Sequence, residues 1–173
     1  SPDSPTGYWQ LAMACRGLAE ACRELGTPVT GGNVSLYNET RLPDGRLQPI
    51  QPTPVVGMVG LVHDLGRLCG LGWQEVGAGV WLLGLPVEAD PEDDRLGLAG
   101  SSYQVVIHHL LSGRPPRCDL GLERRVQGFL RQAIAAGQLG SAHDLSDGGL
   151  AVAAAECCLA GGLGAHLELP PSP

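Results

Sequence analysis

Apolar residues recur at three- and four-residue steps near the start of the chain: Tyr8, Leu11, Ala12, Cys15, Leu18, Ala19, Cys22 and Leu25. That stripe predicts an amphipathic helix opening at Pro5-Thr6 and stopped by Gly26. Further on the pattern predicts helices over 102–111, from an Asp119 cap through Ala136 to Gly137, and from Gly149 to Leu159. Between them lie short apolar or alternating runs that predict strands at 27–30, 34–37, 80–83 and 139–142, with another starting at Gly164. Val55–Val62 is a β-branched run interrupted by Gly57 and Gly60, the pattern of a buried strand with something packed close to its backbone. Pro43-Asp44-Gly45 predicts a hairpin turn: Pro presets φ, Asp caps the backbone, and Gly takes positive φ.

The 173 residues are 43% hydrophobic and 17% charged, a globular balance. Glycine (26) and proline (14) fall between the apolar runs, as tight turns require. The weakly patterned Leu65–Gly79 stretch places a domain boundary near 72–78, giving domains 1–74 and 75–173. Asp90–Asp94 reads as a solvated acidic turn and Arg114-Pro115-Pro116-Arg117 as a stiff linker. The chain begins Ser1-Pro2-Asp3 and stops in mid-pattern at Pro170–Pro173, which reads as a piece of a longer protein.

Charge narrows the function. The net charge is −7, without the clustered positive face that nucleic acid would need. All eleven basic residues are arginine. A P-loop lysine and a Schiff-base lysine are both excluded, so phosphate would have to be held by backbone N–H groups, arginine, or a metal on oxygen ligands. No apolar run reaches the ~18 residues that span a bilayer. The six cysteines form no C-x-x-C pair; Cys15 and Cys22 share the apolar helix face and read as packed free thiols of a reducing compartment.

Two loops carry candidate chemistry. In Thr30-Gly31-Gly32-Asn33-Val34-Ser35, the glycines let main-chain N–H groups approach an anion. Asn33 offers a hard oxygen suited to Mg²⁺, and the period of two puts Ser35 on the same side. A plain Gly-Gly turn with Asn33 in the left-handed conformation fits the same residues. In His143-Asp144-Leu145-Ser146-Asp147-Gly148-Gly149, an acidic turn precedes a helix N-terminus. Asp144 is placed to hold a divalent cation, whereas Ser146 and Asp147 also suit helix capping. His143 reads as a general base or as a packed structural residue, and His108-His109, with no partner at ligand spacing, read as structural.

Four ordered motifs turn these loops into a resemblance. They are Gly-Gly-Asn-Val-Ser-Leu-Tyr-Asn-Glu-Thr at 31–40, Pro-Thr-Pro-Val-Val-Gly-Met-Val-Gly at 52–60, Gly-Arg-Pro-Pro at 113–116, and Ser-Ala-His-Asp-Leu-Ser-Asp-Gly-Gly-Leu-Ala-Val at 141–152. The whole chain resembles the phosphoribosylformylglycinamidine synthase family, large synthetase subunit of the bacterial multi-subunit type. The resemblance implies an α+β fold of mixed α/β layers, of the aminoimidazole ribonucleotide synthetase-like superfamily. Residues 1–74 would be the end of the third, N-terminal-type domain of that synthetase and 75–173 the start of the fourth, C-terminal-type domain. It also implies an ATP- and Mg²⁺-dependent cytoplasmic ligase of purine biosynthesis, making formylglycinamidine ribonucleotide through an iminophosphate. Its partners would be the remaining half of its own chain, a glutaminase subunit supplying ammonia and a small accessory subunit, with no nucleic acid and no membrane. Carried over by position, Gly32 would touch ATP, Asn33 would bind Mg²⁺ and Ser35 would contact the ribonucleotide. Asp144 and Ser146 match positions that hold magnesium and nucleotide at a second site in the long single-chain relatives. Asp3 matches a position where an acidic residue is usual, although Ser1 stands where the short type has Asn. The family's catalytic histidine and ATP-contacting lysine belong to its first half, so no catalytic residue is assigned here and the segment alone is expected to be inactive. A non-catalytic nucleotide-binding scaffold, or a phosphotransferase of the same superfamily, fits the same motifs.

Overall fold

The computed structural model describes residues 2–85 and 94–169. The predicted acidic turn therefore lies, apart from Asp94, outside the described residues, as does the Pro170–Pro173 end. The chain divides into two compact units, Ser1–Leu61 and Val62–Pro173. The fold is α+β: among the described residues there are four α-helices, one short 3₁₀ turn and one two-stranded sheet.

The first unit opens with α1, Pro5–Leu25. Ser4 caps it, its hydroxyl accepting the Gly7 N–H at 3.0 Å, and proline sits in the first turn where its missing N–H costs nothing. Gly26 ends it at φ 67°, a left-handed conformation that glycine adopts without strain. Leu11, Leu18, Cys22 and Leu25 are half-buried along one face, as the stripe predicts, but Tyr8 and Cys15 are exposed. The hairpin forms around Pro43-Asp44-Gly45. Strands β1 (Glu39–Arg41) and β2 (Leu47–Pro49) pair antiparallel, with Thr40 opposite Gln48. Gly45 takes φ 84°, and the Asp44 carboxylate accepts the Arg46 backbone N–H at 3.0 Å and its Nε–H at 2.7 Å.

The remaining predicted strands are not found. Residues 27–30, 34–37, 55–62, 80–83, 139–142 and 164–169 belong to no ladder. The Val55–Val62 run, read from sequence as buried, is exposed, with Val55 at 92% and Val59 at 96%. The physical reason is that β-branched propensity makes a segment suited to a sheet but supplies no neighbouring strand, and an unpaired strand has no ladder to join. The chain as a whole exposes 14104 Å². Two separate compact domains of these lengths would expose roughly 10,000 Å².

In the second unit, α2 is Ser102–His108. The Ser101 hydroxyl accepts the Gln104 N–H at 3.2 Å, and His109 closes the helix at φ 52°. His108 meets Tyr103 edge-on, with ring centroids 5.3 Å apart, so both histidines of this pair serve structure. Helix α3, Leu120–Ala135, starts at Asp119 as predicted. Asp119 accepts the Leu122 N–H at 2.9 Å and the Arg95 guanidinium at 3.2 Å; these contacts, the backbone one foremost, hold its carboxyl below the usual carboxylate range. Arg117 of the proline-rich linker is tied back to Asp94 by its backbone N–H at 2.7 Å and its guanidinium at 3.0 Å.

Helix α4, Gly149–Gly161, carries the tightest packing. Ala153 and Cys157 are buried, and burial pushes the Cys157 thiol up, away from the reactive thiolate. The segment before it in sequence crosses its C-terminal half. Trp73 donates its N–H to the Cys157 carbonyl at 3.2 Å, and a Cβ on Gly161 would sit 2.1 Å from the Trp73 carbonyl oxygen. A Cβ on Gly72 would likewise sit 2.8 Å from the Ala160 backbone. Two residues further back, the Gly70 carbonyl accepts the Ala142 N–H at 2.9 Å, which fixes the approach to His143.

Gly161→Ala is expected to destabilise this unit by about 2 kcal/mol, because the added methyl must push two backbones apart. Gly17→Ala, in the interior of α1 with nothing within 4 Å of its Cβ position, is expected to stabilise by roughly 0.5–1 kcal/mol. Urea denaturation of the two variants should therefore give shifts of opposite sign.

Candidate functional site

The loop at 27–38 in the first unit has no helix or strand of its own. Gly31, Gly32, Asn33 and Ser35 are all exposed on it. Cβ atoms at Gly31 and Gly32 would meet nothing within 4 Å among the described residues, so this stretch of main chain stands open. Asn33 is not in the left-handed region; among the described residues only His109, apart from glycine, has positive φ. The plain-turn reading of Gly-Gly-Asn thus lacks its left-handed asparagine. The nearby Tyr37 hydroxyl donates to Asp3 at 3.4 Å, tying this loop to the residues before α1.

The loop at 143–148 in the second unit is more tightly built. His143 is the anchor, its side chain 18% exposed. Its Nε2 lies 2.9 Å from Glu156 Oε2 on α4, and its Nδ1 lies 3.3 Å from Asp144 Oδ1. A neutral imidazole donates from one nitrogen only, so two facing carboxylates favour the doubly protonated ring. The Glu156 hydrogen bond foremost, with that of Asp144, holds His143 above the ordinary imidazole range. The other oxygen of Asp144 accepts the Ser146 hydroxyl, the main cause of its lowered pKa.

Capping does not use these side chains. Gly148, at φ 79°, occupies the N-cap of α4, and no side chain bonds to the first-turn N–H groups. Ser146 instead contributes its carbonyl to the Gly149 N–H at 3.1 Å, while its hydroxyl turns to Asp144. A Cβ on Gly148 would lie 2.2 Å from Val152, so glycine is required by space as well as by φ.

Helix α4 therefore has two working faces. Ala153, Cys157 and Gly161, at four-residue steps, meet the Gly72-Trp73 segment or the interior. Val152 and Glu156, again four apart, face the 143–148 loop. Glu156 was missed in the sequence pattern. Its signal was present, as the lone charged residue of Gly-Leu-Ala-Val-Ala-Ala-Ala-Glu-Cys-Cys-Leu-Ala-Gly.

The donors suit a hard cation only in part. No group of three or more His, Cys, Asp or Glu residues converges among the described residues. Magnesium needs no such cage: one or two protein oxygens suffice when phosphate and water complete its six positions. The Asp144 carboxylate, 79% exposed beside the uncapped start of α4, fits that pattern, and so does the Asn33 amide oxygen. The structure brings Asp144 and Ser146 into contact; Gly32, Asn33 and Ser35 lie together on a loop of the other unit.

By its match to family models along most of its length, the chain belongs to the AIR synthase related family. Residues 1–62 match that family's N-terminal domain and 75–173 its C-terminal domain. Residues 63–74, between the two matches, fall with the second unit. The chain is 68% identical over 173 residues to the "Phosphoribosylformylglycinamidine synthase subunit PurL" of Prochlorococcus marinus strain MIT 9303, and 69% identical over 170 residues to that of Synechococcus sp. strain WH7803. The corresponding subunit of Thermosynechococcus vestitus is 61% identical over 170 residues. These alignments cover 98–99% of this chain and 22% of each relative, so the chain spans about a fifth of their length. No solved structure matches the chain.

The sign of the His143 shift gives a pH prediction. A raised pKa means that the ring's clasp between Glu156 and Asp144 is fully present below the unfolded value of ~6.5 and fades as pH rises through the folded value. Hydrogen-exchange protection factors of the 143–150 amides should fall across that window. His143→Gln should flatten the dependence.

Proposed function

We propose that this chain is part of the large subunit of a phosphoribosylformylglycinamidine synthase, an ATP-dependent carbon–nitrogen ligase of purine biosynthesis. The observation that carries this reading is identity of 68–69% along the chain to cyanobacterial subunits of that name, with the exposed Gly31-Gly32-Asn33-Val34-Ser35 loop inside the aligned region. Residues 1–74 would end an N-terminal-type domain and 75–173 would begin a C-terminal-type one. The exposed Val55–Val62 run supports a partner in the remaining half of the same polypeptide, since an unpaired apolar strand is costly in water. The word "subunit" in the relatives' names supports a multi-subunit enzyme, in which a glutaminase and a small accessory subunit are the expected partners. Six free thiols fit the reducing cytoplasm.

The reaction places two demands on these residues. The amide oxygen of formylglycinamide ribonucleotide attacks the γ-phosphorus of ATP, and ADP leaves. Ammonia then displaces phosphate from the resulting iminophosphate, and loss of a proton gives the amidine. The nucleophile and phosphorus must be aligned, and the phosphate charge must be offset. With no lysine in the chain, the Gly32 main chain is the candidate contact for ATP and the Ser35 hydroxyl the candidate contact for the ribonucleotide. Asn33 and Asp144 are the candidate magnesium ligands, with Ser146 beside Asp144 as a nucleotide contact at a second site. Magnesium bound there would neutralise phosphate charge.

In the full-length synthase, Asn33→Ala is expected to lower kcat/KM for MgATP by at least tenfold, and wild-type turnover in that variant would remove the metal role. Ser35→Ala is expected to raise KM for the ribonucleotide with little change in kcat, the signature of lost uniform binding. Unchanged kinetics in both variants would favour a scaffold without a direct part in catalysis.

A further inference from the structure

We infer that Glu156 is a positioning residue for the Asp144 carboxylate, acting through the His143 ring; this rests on the reading above that Asp144 holds a divalent cation. The geometry is a relay from helix to loop. Glu156 sits on α4 two turns beyond Gly149, on the face that Val152 also presents to the loop. Its Oε2 holds His143 Nε2 at 2.9 Å, and the opposite ring nitrogen holds Asp144 Oδ1 at 3.3 Å. A planar ring gripped on both nitrogens transmits the position of the helix to the carboxylate. The helix is in turn fixed by the Trp73 N–H on the Cys157 carbonyl, one residue from Glu156.

Nothing else among the described residues gives Asp144 such an anchor. Its second contact, Ser146, lies on the same loop and moves with it. The carboxylate is 79% exposed, so packing does not fix its rotamer. Glu156 has its side chain 53% exposed, so its removal leaves no buried cavity. A partner hydrogen-bonded directly to a metal ligand typically contributes 10–100-fold to metal affinity; His143 is that partner here, and Glu156 holds it one step further out.

The test uses full-length synthase and Mn²⁺ titrations followed by electron paramagnetic resonance, with thermal denaturation of each variant alongside. Asp144→Asn should remove one class of bound Mn²⁺. Glu156→Ala should weaken that same class by about tenfold, the lower end of the effect of a ligand's direct partner, at an unchanged melting temperature. Glu156→Gln, which keeps an acceptor oxygen at the same reach, should bind nearly as the wild type does. If Asp144→Asn leaves the Mn²⁺ stoichiometry intact, the metal reading of Asp144 fails and the role of Glu156 falls with it. If Asp144→Asn removes the site but Glu156→Ala binds with wild-type affinity, the positioning role alone is overturned. Equal losses in Glu156→Ala and Glu156→Gln, accompanied by a lower melting temperature, would mark Glu156 as merely structural and overturn it too.

Discussion

The second unit depends on one close approach of two backbones. Gly161 lets the end of α4 lie against Trp73, where any Cβ would come within 2.1 Å of the Trp73 carbonyl oxygen. Gly72 is close-packed against Ala160 in the same way, and the Trp73 N–H reaches the Cys157 carbonyl. A carbonyl inside a helix already accepts one bond, and its second lone pair is free to take this one. From that crossing the rest follows by short steps. Gly70 holds Ala142, Ala142 precedes His143, and His143 reaches across to Glu156 on the next face of the same helix. The loop is thus held from both sides by elements that the glycines have brought together.

What the sequence made legible was whatever a local signal encodes. Ser4 and Gly26 bracket α1, Asp119 opens α3, and Pro43-Asp44-Gly45 turns the hairpin, each through bonds within a few residues of itself. The strands were a different matter. Val55–Val62 has the composition of a buried strand, but burial and pairing depend on other segments, and no strand among the described residues pairs with it. Cys15 failed in the same way: it lies on the apolar stripe of α1, yet the stripe's half-buried part runs through Leu11, Leu18 and Cys22.

The candidate site divides along the same line. The oxygen donors and glycines could be picked out because residue type and spacing carry their chemistry. The partner of His143 could not, because thirteen residues of loop and helix separate it from Glu156. Helical periodicity relates Glu156 to Val152, but only the fold relates either of them to the loop. Capping was the competing use of Ser146 and Asp147, and it lost for a steric reason. Gly148 enters α4 in a left-handed conformation with Val152 packed over it, which leaves the Ser146 hydroxyl to find Asp144 instead.

The chain has eleven arginines and no lysine, so its own residues offer an anionic ligand no compact ammonium. Several of those arginines are already committed: Arg46 to Asp44, Arg95 to Asp119 and Arg117 to Asp94 brace a turn, a helix start and a linker. What remains at the two loops is neutral or acidic: open main chain at Gly31-Gly32, an amide at Asn33, a hydroxyl at Ser35, and a carboxylate at Asp144. Groups of this kind attract a phosphate weakly by themselves, and a carboxylate repels it. Under the reading proposed above, a divalent cation would join groups of this kind to a phosphate at either loop, because it supplies positive charge and takes hard oxygens from both sides.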